Sequence, residues 1–277
     1  MTASLRVSGH FGELLQGRIG PDGPVALVTL PCPVLGVSGR WLGGSGLGGT
    51  GLALHGAGQR LTTPQRARRM ARALGLSLRG RFALRAEMEA GGGAGVSTAA
   101  LAVLARLAGF DGPPLDLARA CIAAEGASDP LMFPRPERLL WASRAGRVLA
   151  ELPPLPRLEI LGGFFGPPRR TDPADMRFPD ISDLIAPWHA ASRFRDIAAI
   201  GGLASASAAR TVALRGLSGD PTPGLARETG ALGWCIGHTG AARGLIFAPG
   251  TMPRDAALAL RRAGFRNVVN FRAGETR

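Results

Sequence analysis

The sequence predicts a two-domain α+β protein, and three observations carry that reading. Strand and helix patterns alternate through both halves without a βαβ rhythm, which argues against a doubly wound parallel sheet. The chain has 277 residues, enough for two domains of ordinary size. A proline-rich break, Pro153-Pro154-Leu155-Pro156, divides it into an expected N-terminal domain over 1–152 and a C-terminal domain over 157–277.

The elements follow in order. Residues 4–9 alternate weakly, and 24–30 (PVALVTL) reads as a strong strand. Between them lie SGHFGELLQG, Ser8 to Gly17, of mixed polar and apolar character, and the turn signal Gly20-Pro21-Asp22-Gly23. A strand is expected over 33–38 and a flexible loop over 43–51. Thr63 and Pro64 pair as cap and first turn of a helix to Leu74, ended by Gly75. Residues 80–88 alternate as a strand that runs into a glycine loop. A helix from Ser97 ends at Gly109, and another spans Leu115 to Ala124. After the proline break, Leu158 to Phe165 reads as a buried strand and 166–180 as a polar loop with four prolines. Helices are expected over 181–199, 203–216 and 222–235. Glycines at 237, 240 and 244 suggest a tight turn feeding a strand over 245–248. A helix from Pro253 to Ala263 and a strand over 267–271 complete the chain, with no internal repeat.

Composition narrows the function classes. An apolar fraction of 45% is that of a globular protein. The N-terminus has no apolar signal region, and no run approaches the ~18 unbroken apolar residues that span a bilayer. Three distant cysteines, Cys32, Cys121 and Cys235, argue against a disulfide framework or a zinc site. A cytoplasmic location with no membrane partner is expected. The net charge of +13 comes entirely from arginine, for there is no lysine. Arg66, Arg68, Arg69 and Arg72 crowd one short helix, a patch that suits either nucleic acid or a solvated face. No aromatic residue interleaves with it to stack bases, so no nucleic-acid partner is expected. The absence of lysine excludes a Walker-type phosphate loop.

The stretch Ala90 to Leu107, AGGGAGVSTAALAVLARL, organises the rest. Glycines ahead of a helix let backbone N–H groups approach an anion, and the helix start adds unpaired donors with partial positive charge. Ser97 or Thr98 is expected at the cap, either bonding the helix backbone or turned toward a metal ion. Glu125 and Asp129 flank a turn at a helix C-terminus, where the dipole disfavours acids; a bound cation or an exposed Asp-Pro turn both account for them.

Three segments, SGHFGELLQG, GGGAGVSTAA and GHTGAARGLIF, together resemble the GHMP kinase superfamily in order and spacing. Within it, Gly12, Glu13, Leu14, Gln16 and Gly17, with Asp129 to Phe133 and His238-Thr239-Gly240, are most similar to the L-threonine kinases of cobalamin biosynthesis. The resemblance implies a ribosomal S5 domain 2-like N-terminal domain and a ferredoxin-like C-terminal domain. It implies ATP and Mg²⁺ as cofactors, a small hydroxy amino acid such as L-threonine as substrate, and a monomer or homodimer.

Residue by residue, it implies that Gly91, Gly92, Gly93, Ala94, Gly95, Val96, Ser97 and Thr98 hold the nucleotide. Val96 and Ala94 replace the usual serine and leucine, which removes one hydroxyl from the cradle and leaves its backbone donors. Ser97 and Glu125 would ligate Mg²⁺, and Asp129 would face the substrate hydroxyl as base or as acceptor. Asp129 and Ser97 are thus the catalytic pair. His10, Glu13, Gln16, His238, Thr239 and Gly240 are candidates for the amino-acid substrate, and Arg169 and Arg170 for its carboxylate or for phosphates. Phosphoryl transfer needs charge neutralisation, alignment and exclusion of water, and this set supplies each.

Overall fold

The computed structural model describes residues 4–44, 51–217, 219–238 and 240–275. The expected loop over 43–51 lies largely outside them. The first half contributes β1 (Ser4–Arg18), β2 (Val25–Trp41), β3 (Leu52–His55), α1 (Pro64–Ala73), β4 (Gly80–Ala86), α2 (Val96–Leu107), α3 (Pro114–Glu125), β5 (Leu139–Ala142) and β6 (Arg147–Glu151). The second contributes β7 (Leu158–Phe164), α4 (Ser182–Phe194), α5 (Ile197–Arg215), α6 (Thr222–Glu228), β8 (Gly233–Ile236), β9 (Ala242–Phe247), α7 (Ala256–Arg262) and β10 (Arg266–Ala273).

The strands form one sheet in the order β10-β7-β9-β8-β1-β2-β4-β3, with the β5–β6 hairpin attached to β2. Its pairings are antiparallel except β3 with β4, which helix α1 joins as a single βαβ unit. The proline run lies between β6 and β7, and the sheet continues from β8 to β1 across the two halves. The largest core cluster joins Leu14, Leu101 and Leu104 of the first half to Ile160, Phe164 and Ile200 of the second. At its centre is α2, buried from Val96 to Ala105 except at Ser97. A helix apolar on every side belongs in a core.

Several elements differ from expectation for identifiable reasons. The stretch SGHFGELLQG is not a connecting segment but most of β1, which carries register shifts between His10 and Leu15. The strands expected at 24–30 and 33–38 are one strand, β2; Pro31 pairs with His10 beside a bulge, so its missing N–H interrupts no regular ladder. Gly201-Gly202 does not break the helices but lies inside α5, and the break falls at Arg195, in the left-handed conformation, with Asp196 capping Ala199 N–H at 2.9 Å. Gly201 is there for contact: a Cβ would stand 2.6 Å from the Leu232 carbonyl oxygen, and one on Gly233 would stand 2.0 Å from that of Gly201. The helix expected over 222–235 stops after Glu228, Gly230 turns the chain, and Gly233–Ile236 is strand β8. The β5–β6 hairpin was not expected at all.

One feature joins the two halves at the sheet, and a second braces the C-terminal half from within. Gln16, fully buried, donates from Nε2 to the Ile236 carbonyl at 2.9 Å, and its backbone N–H bonds Ser207 Oγ on α5. Helix α5 is long and apolar enough to span a bilayer by length and composition, but this face of it lies against β1 and β8. The second feature is a buried ion pair. Arg243 Nε meets Asp220 Oδ2 at 2.8 Å, and Arg243 Nη1 donates to the Gly240 carbonyl at 2.9 Å. Removing one partner strands the other charge in the interior, so Asp220→Asn is expected to lower stability by about 3–5 kcal/mol. Urea denaturation of the two proteins measures it, and an unchanged midpoint would contradict the pair's structural role.

Candidate active site

The site begins with a bulge. Gly12 has φ +75, and a Cβ there would stand 2.8 Å from Gly237 N and from the Ile236 carbonyl carbon. Only glycine satisfies both constraints. The bulge re-aims β1 so that neighbouring His10 and Glu13 both reach one cleft. The glycine loop closes over them: His10 N–H bonds the Ala94 carbonyl at 3.2 Å, and Ala242 N–H bonds that of Gly92 at 2.8 Å. Gly240 presses on this loop, since a Cβ would meet Gly93 N at 2.2 Å. All three motifs thus meet backbone to backbone.

A cleft open to solvent lies between them. Of the candidates, Gly91, Gly93, Ala94, Gly95, Val96, Ser97 and Thr98 line it. So do Glu125, Asp129, His10, Glu13 and His238. Gln16 points away, into the sheet junction, and Gly92 and Gly240 support the loop from behind. Thr239 lies outside the described residues.

Neither Ser97 nor Thr98 caps α2. The cap is Gly95, with φ +73 and no side-chain cap bond. A side chain at 95 would meet His10 Cδ2 at 2.6 Å, so the capping hydroxyl gives way to contact with His10. Both hydroxyls turn to carboxylates instead. Ser97 Oγ donates to Glu125 Oε1, which Arg66 Nη1 also approaches, at 3.3 Å. Burial raises the Glu125 pKa against the pull of Ser97 and Arg66. Thr98 Oγ1 donates to Asp129 Oδ2 at 3.4 Å. The Asp129 segment is pinned from the β5–β6 hairpin, where the Trp141 indole donates to the Ser128 carbonyl at 2.7 Å and Ser128 N–H to that of Ser143 at 2.9 Å.

His10 sits between two carboxylates, with Nδ1 3.3 Å from Glu13 Oε1 and Nε2 3.4 Å from Asp129 Oδ2. Burial disfavours the imidazolium, but the two anions outweigh it and push the pKa up to about 9. Burial pushes Glu13 up to about 7 against the attraction of His10. Burial also acts to raise Asp129, yet the His10 charge and the bonds from His10 and Thr98 hold it below its ordinary value.

The opposite wall is cationic and was not found by sequence reasoning. Arg144, in the turn of the hairpin, lies 4.8 Å over the Phe178 ring and donates to the Pro173 and Asp175 carbonyls. His238 stacks on Phe178 with centroids 4.0 Å apart. Arg215 pairs with Asp175 and donates to His238 Nε2 at 3.1 Å. Burial, with the Arg215 and Arg144 charges, pushes His238 down to about 3. The ring is therefore neutral, its hydrogen is on Nδ1, and that buried donor has no partner among the described residues. Arg169 and Arg170 are exposed at the mouth, where Arg169 N–H bonds the Gly91 carbonyl at 2.8 Å and Arg170 Nη2 that of Arg60 at 2.6 Å. Arg144 has no local signature: it belongs to a hairpin whose strands are four and five residues long.

The residues suit a metal-bound polyphosphate. A hydroxyl and a carboxylate already touch, beside a positive helix end, which is the hard oxygen donor set that Mg²⁺ prefers.

The titrations set the sign of the alkaline response. His10 and Glu13 both have raised values in the folded state, so the stability they confer is present at low pH and lost as pH rises. Glu13 loses its share by about pH 7 and His10 its share from about 6.5 through about 9. The melting temperature is expected to fall across pH 6.5–9 as folded His10 gives up the proton that its two carboxylates hold. Calorimetry across that range checks it, and a flat or rising curve would contradict the assignment.

No family model matches the sequence, and no curated protein matches it. Solved structures do. Mevalonate kinase of L. major, in complex with R-mevalonate, superposes with a TM-score of 0.63 at 13% identity, covering 98% of this chain and 96% of that one. A putative homoserine kinase from Listeria monocytogenes gives 0.64 at 14%, covering 98% and 97%. Homoserine kinase from Cytophaga hutchinsonii gives 0.58 at 16%, covering 99% and 94%. These likenesses run over nearly the whole of each chain, and the protein has the fold of the GHMP kinases.

Proposed function

We propose that the protein is an ATP-dependent kinase that phosphorylates the side-chain hydroxyl of L-threonine. The observation that carries the reading is the convergence, in one cleft, of a glycine loop at the start of α2, the Ser97–Glu125 contact and Asp129. Homoserine and mevalonate kinases among the structural neighbours support a small alcohol as acceptor. The choice of threonine rests on the likeness of the Gly12–Gly17 segment to the L-threonine kinases, whose product would supply the aminopropanol linker of cobalamin.

Ser97 and Glu125 would hold Mg²⁺, which neutralises phosphate charge when bound. The backbone donors of Gly93 to Val96 and the start of α2 face the same charge, in the manner of other helix-terminal anion sites. Arg66 stands beside Glu125 and Arg170 at the mouth, supplying the cations that lysine would otherwise give. Asp129 faces the acceptor hydroxyl. Its depressed pKa keeps it ionised at neutral pH, ready to accept that hydrogen bond and orient the oxygen. Arg144 and the Nδ1–H of His238 fit the carboxylate of an amino-acid acceptor.

The test is ADP release from Mg·ATP over a panel of hydroxy amino acids and hydroxy acids. Threonine-dependent release is expected. Robust turnover of homoserine alone would replace threonine as acceptor, and turnover of no alcohol would defeat the kinase reading. Glu125→Gln is expected to raise the Mg²⁺ requirement strongly while the fold holds. Asp129→Asn is expected to lower kcat by on the order of 10²-fold or more, and a kcat within twofold of the original would remove Asp129 from the chemistry.

A further inference from the structure

We infer that Glu13 is a positioning residue: acting through the His10 ring, it fixes the orientation of Asp129 toward the acceptor without touching the acceptor itself. The role of Asp129 rests on the kinase reading, whereas the arrangement of the ring does not.

The geometry makes the case. Nδ1 of His10 faces two oxygens, Glu13 Oε1 at 3.3 Å and the Gly12 carbonyl at 3.2 Å. Nε2 faces Asp129 Oδ2. A carbonyl oxygen and ionised carboxylates can only accept, so both ring nitrogens must carry hydrogen for every contact to be favourable. That is an imidazolium. The ring is 4% exposed, and Gly95 packs close enough to Cδ2 that a methyl group added there would stand 2.6 Å away.

The three side chains lie within 4.8 Å of one another and have the ligand types of a metal site. Yet the carboxylates meet opposite nitrogens of the ring. A ring nitrogen binds an ion only along its own lone pair, and in this arrangement each nitrogen of His10 points at a different carboxylate. A relay of two charge-assisted hydrogen bonds is the arrangement that fits.

Glu13 is the costly member. Its side chain is 2% exposed, and Oε2 is buried beside the Thr29 hydroxyl with no hydrogen bond of normal geometry among the described residues. A merely structural position would be better filled by an apolar side chain or an amide. The other titratable groups facing the pair are Asp129 itself and Cys235 of β8, a thiol that burial pushes up to about 12 and so leaves neutral. Glu13 is therefore, among the described residues, the one anion at the inner edge of the ring. Among the described residues, the side-chain bonds to Asp129 from His10 and from Thr98 both end on Oδ2, which leaves Oδ1 for the acceptor.

The experiment uses the whole protein with ¹⁵N-labelled histidine. The chain has four histidines, so the His10 signals are assigned from a His10→Gln sample. Wild-type His10 is expected to show two protonated ring nitrogens at pH 8. In Glu13→Gln its titration midpoint is expected to fall by about one unit or more, and Glu13→Asp should restore part of the shift. In the kinase assay, Glu13→Gln should lower kcat about tenfold or more with KM for Mg·ATP little changed. A wild-type His10 that titrates near an unperturbed histidine overturns the inference. So does a Glu13→Gln protein with unaltered His10 titration. Should Glu13→Gln fail to fold, Glu13→Asp carries the test, and an unaltered His10 midpoint there overturns it as well. If no alcohol is phosphorylated by any variant, the kinase reading fails and the NMR titration still decides the Glu13–His10 pairing.

Discussion

Backbone-to-backbone contact between three glycine-bearing segments is the constraint on which everything else depends. The first comes from the bulge in β1, the second from the loop before α2, and the third from the turn between β8 and β9. Where they touch there is no room for side chains: Gly12 abuts Gly237, and Gly240 abuts Gly93. Backbones at that distance can exchange hydrogen bonds directly, as Ala242 does with Gly92. The contact also places the open end of α2 at the floor of a cleft built from both halves of the chain. A larger residue at any of these positions would separate segments whose function depends on meeting.

The electrostatics follow from that meeting. Carboxylates gather along one side, Glu13 and Asp129 around His10, and Glu125 beside Ser97 and Arg66. Arg144 and Arg215 face them across the Phe178–His238 stack. Two histidines in one cleft are driven in opposite directions, His10 up by anions and His238 down by cations and burial. Identical side chains thus take different charges a short distance apart, and only their neighbours distinguish them.

Much of this was legible in the sequence because its causes are local. A glycine run before an apolar helix announces a helix start wherever it occurs, and Thr63-Pro64 caps α1 as its chemistry dictates. Glu125 at a helix C-terminus is unfavourable on its own, and the structure supplies the cation of Arg66 beside it. What could not be read depends on distant parts of the chain. The direction of Gln16 depends on register within a bulged strand, where one residue of slip exchanges cleft for core. Gly201 looked like a helix breaker because its partner, Gly233, lies thirty-two positions further along the chain. Arg144 and Phe178 meet only because a short hairpin and a proline-rich strap pack together, and neither element has a periodic pattern that announces it.

The continuity of the sheet has a consequence for dissecting the molecule. Cutting at the proline run would uncover the unpaired edges of β1 and β8, and Gln16 would lose both its carbonyl acceptor on β8 and its hydroxyl acceptor on α5. Each fragment would carry half of a shared apolar core and a strand edge that templates further pairing. Made separately, the pieces would be sticky and short-lived; made together, each would be the other's natural complement.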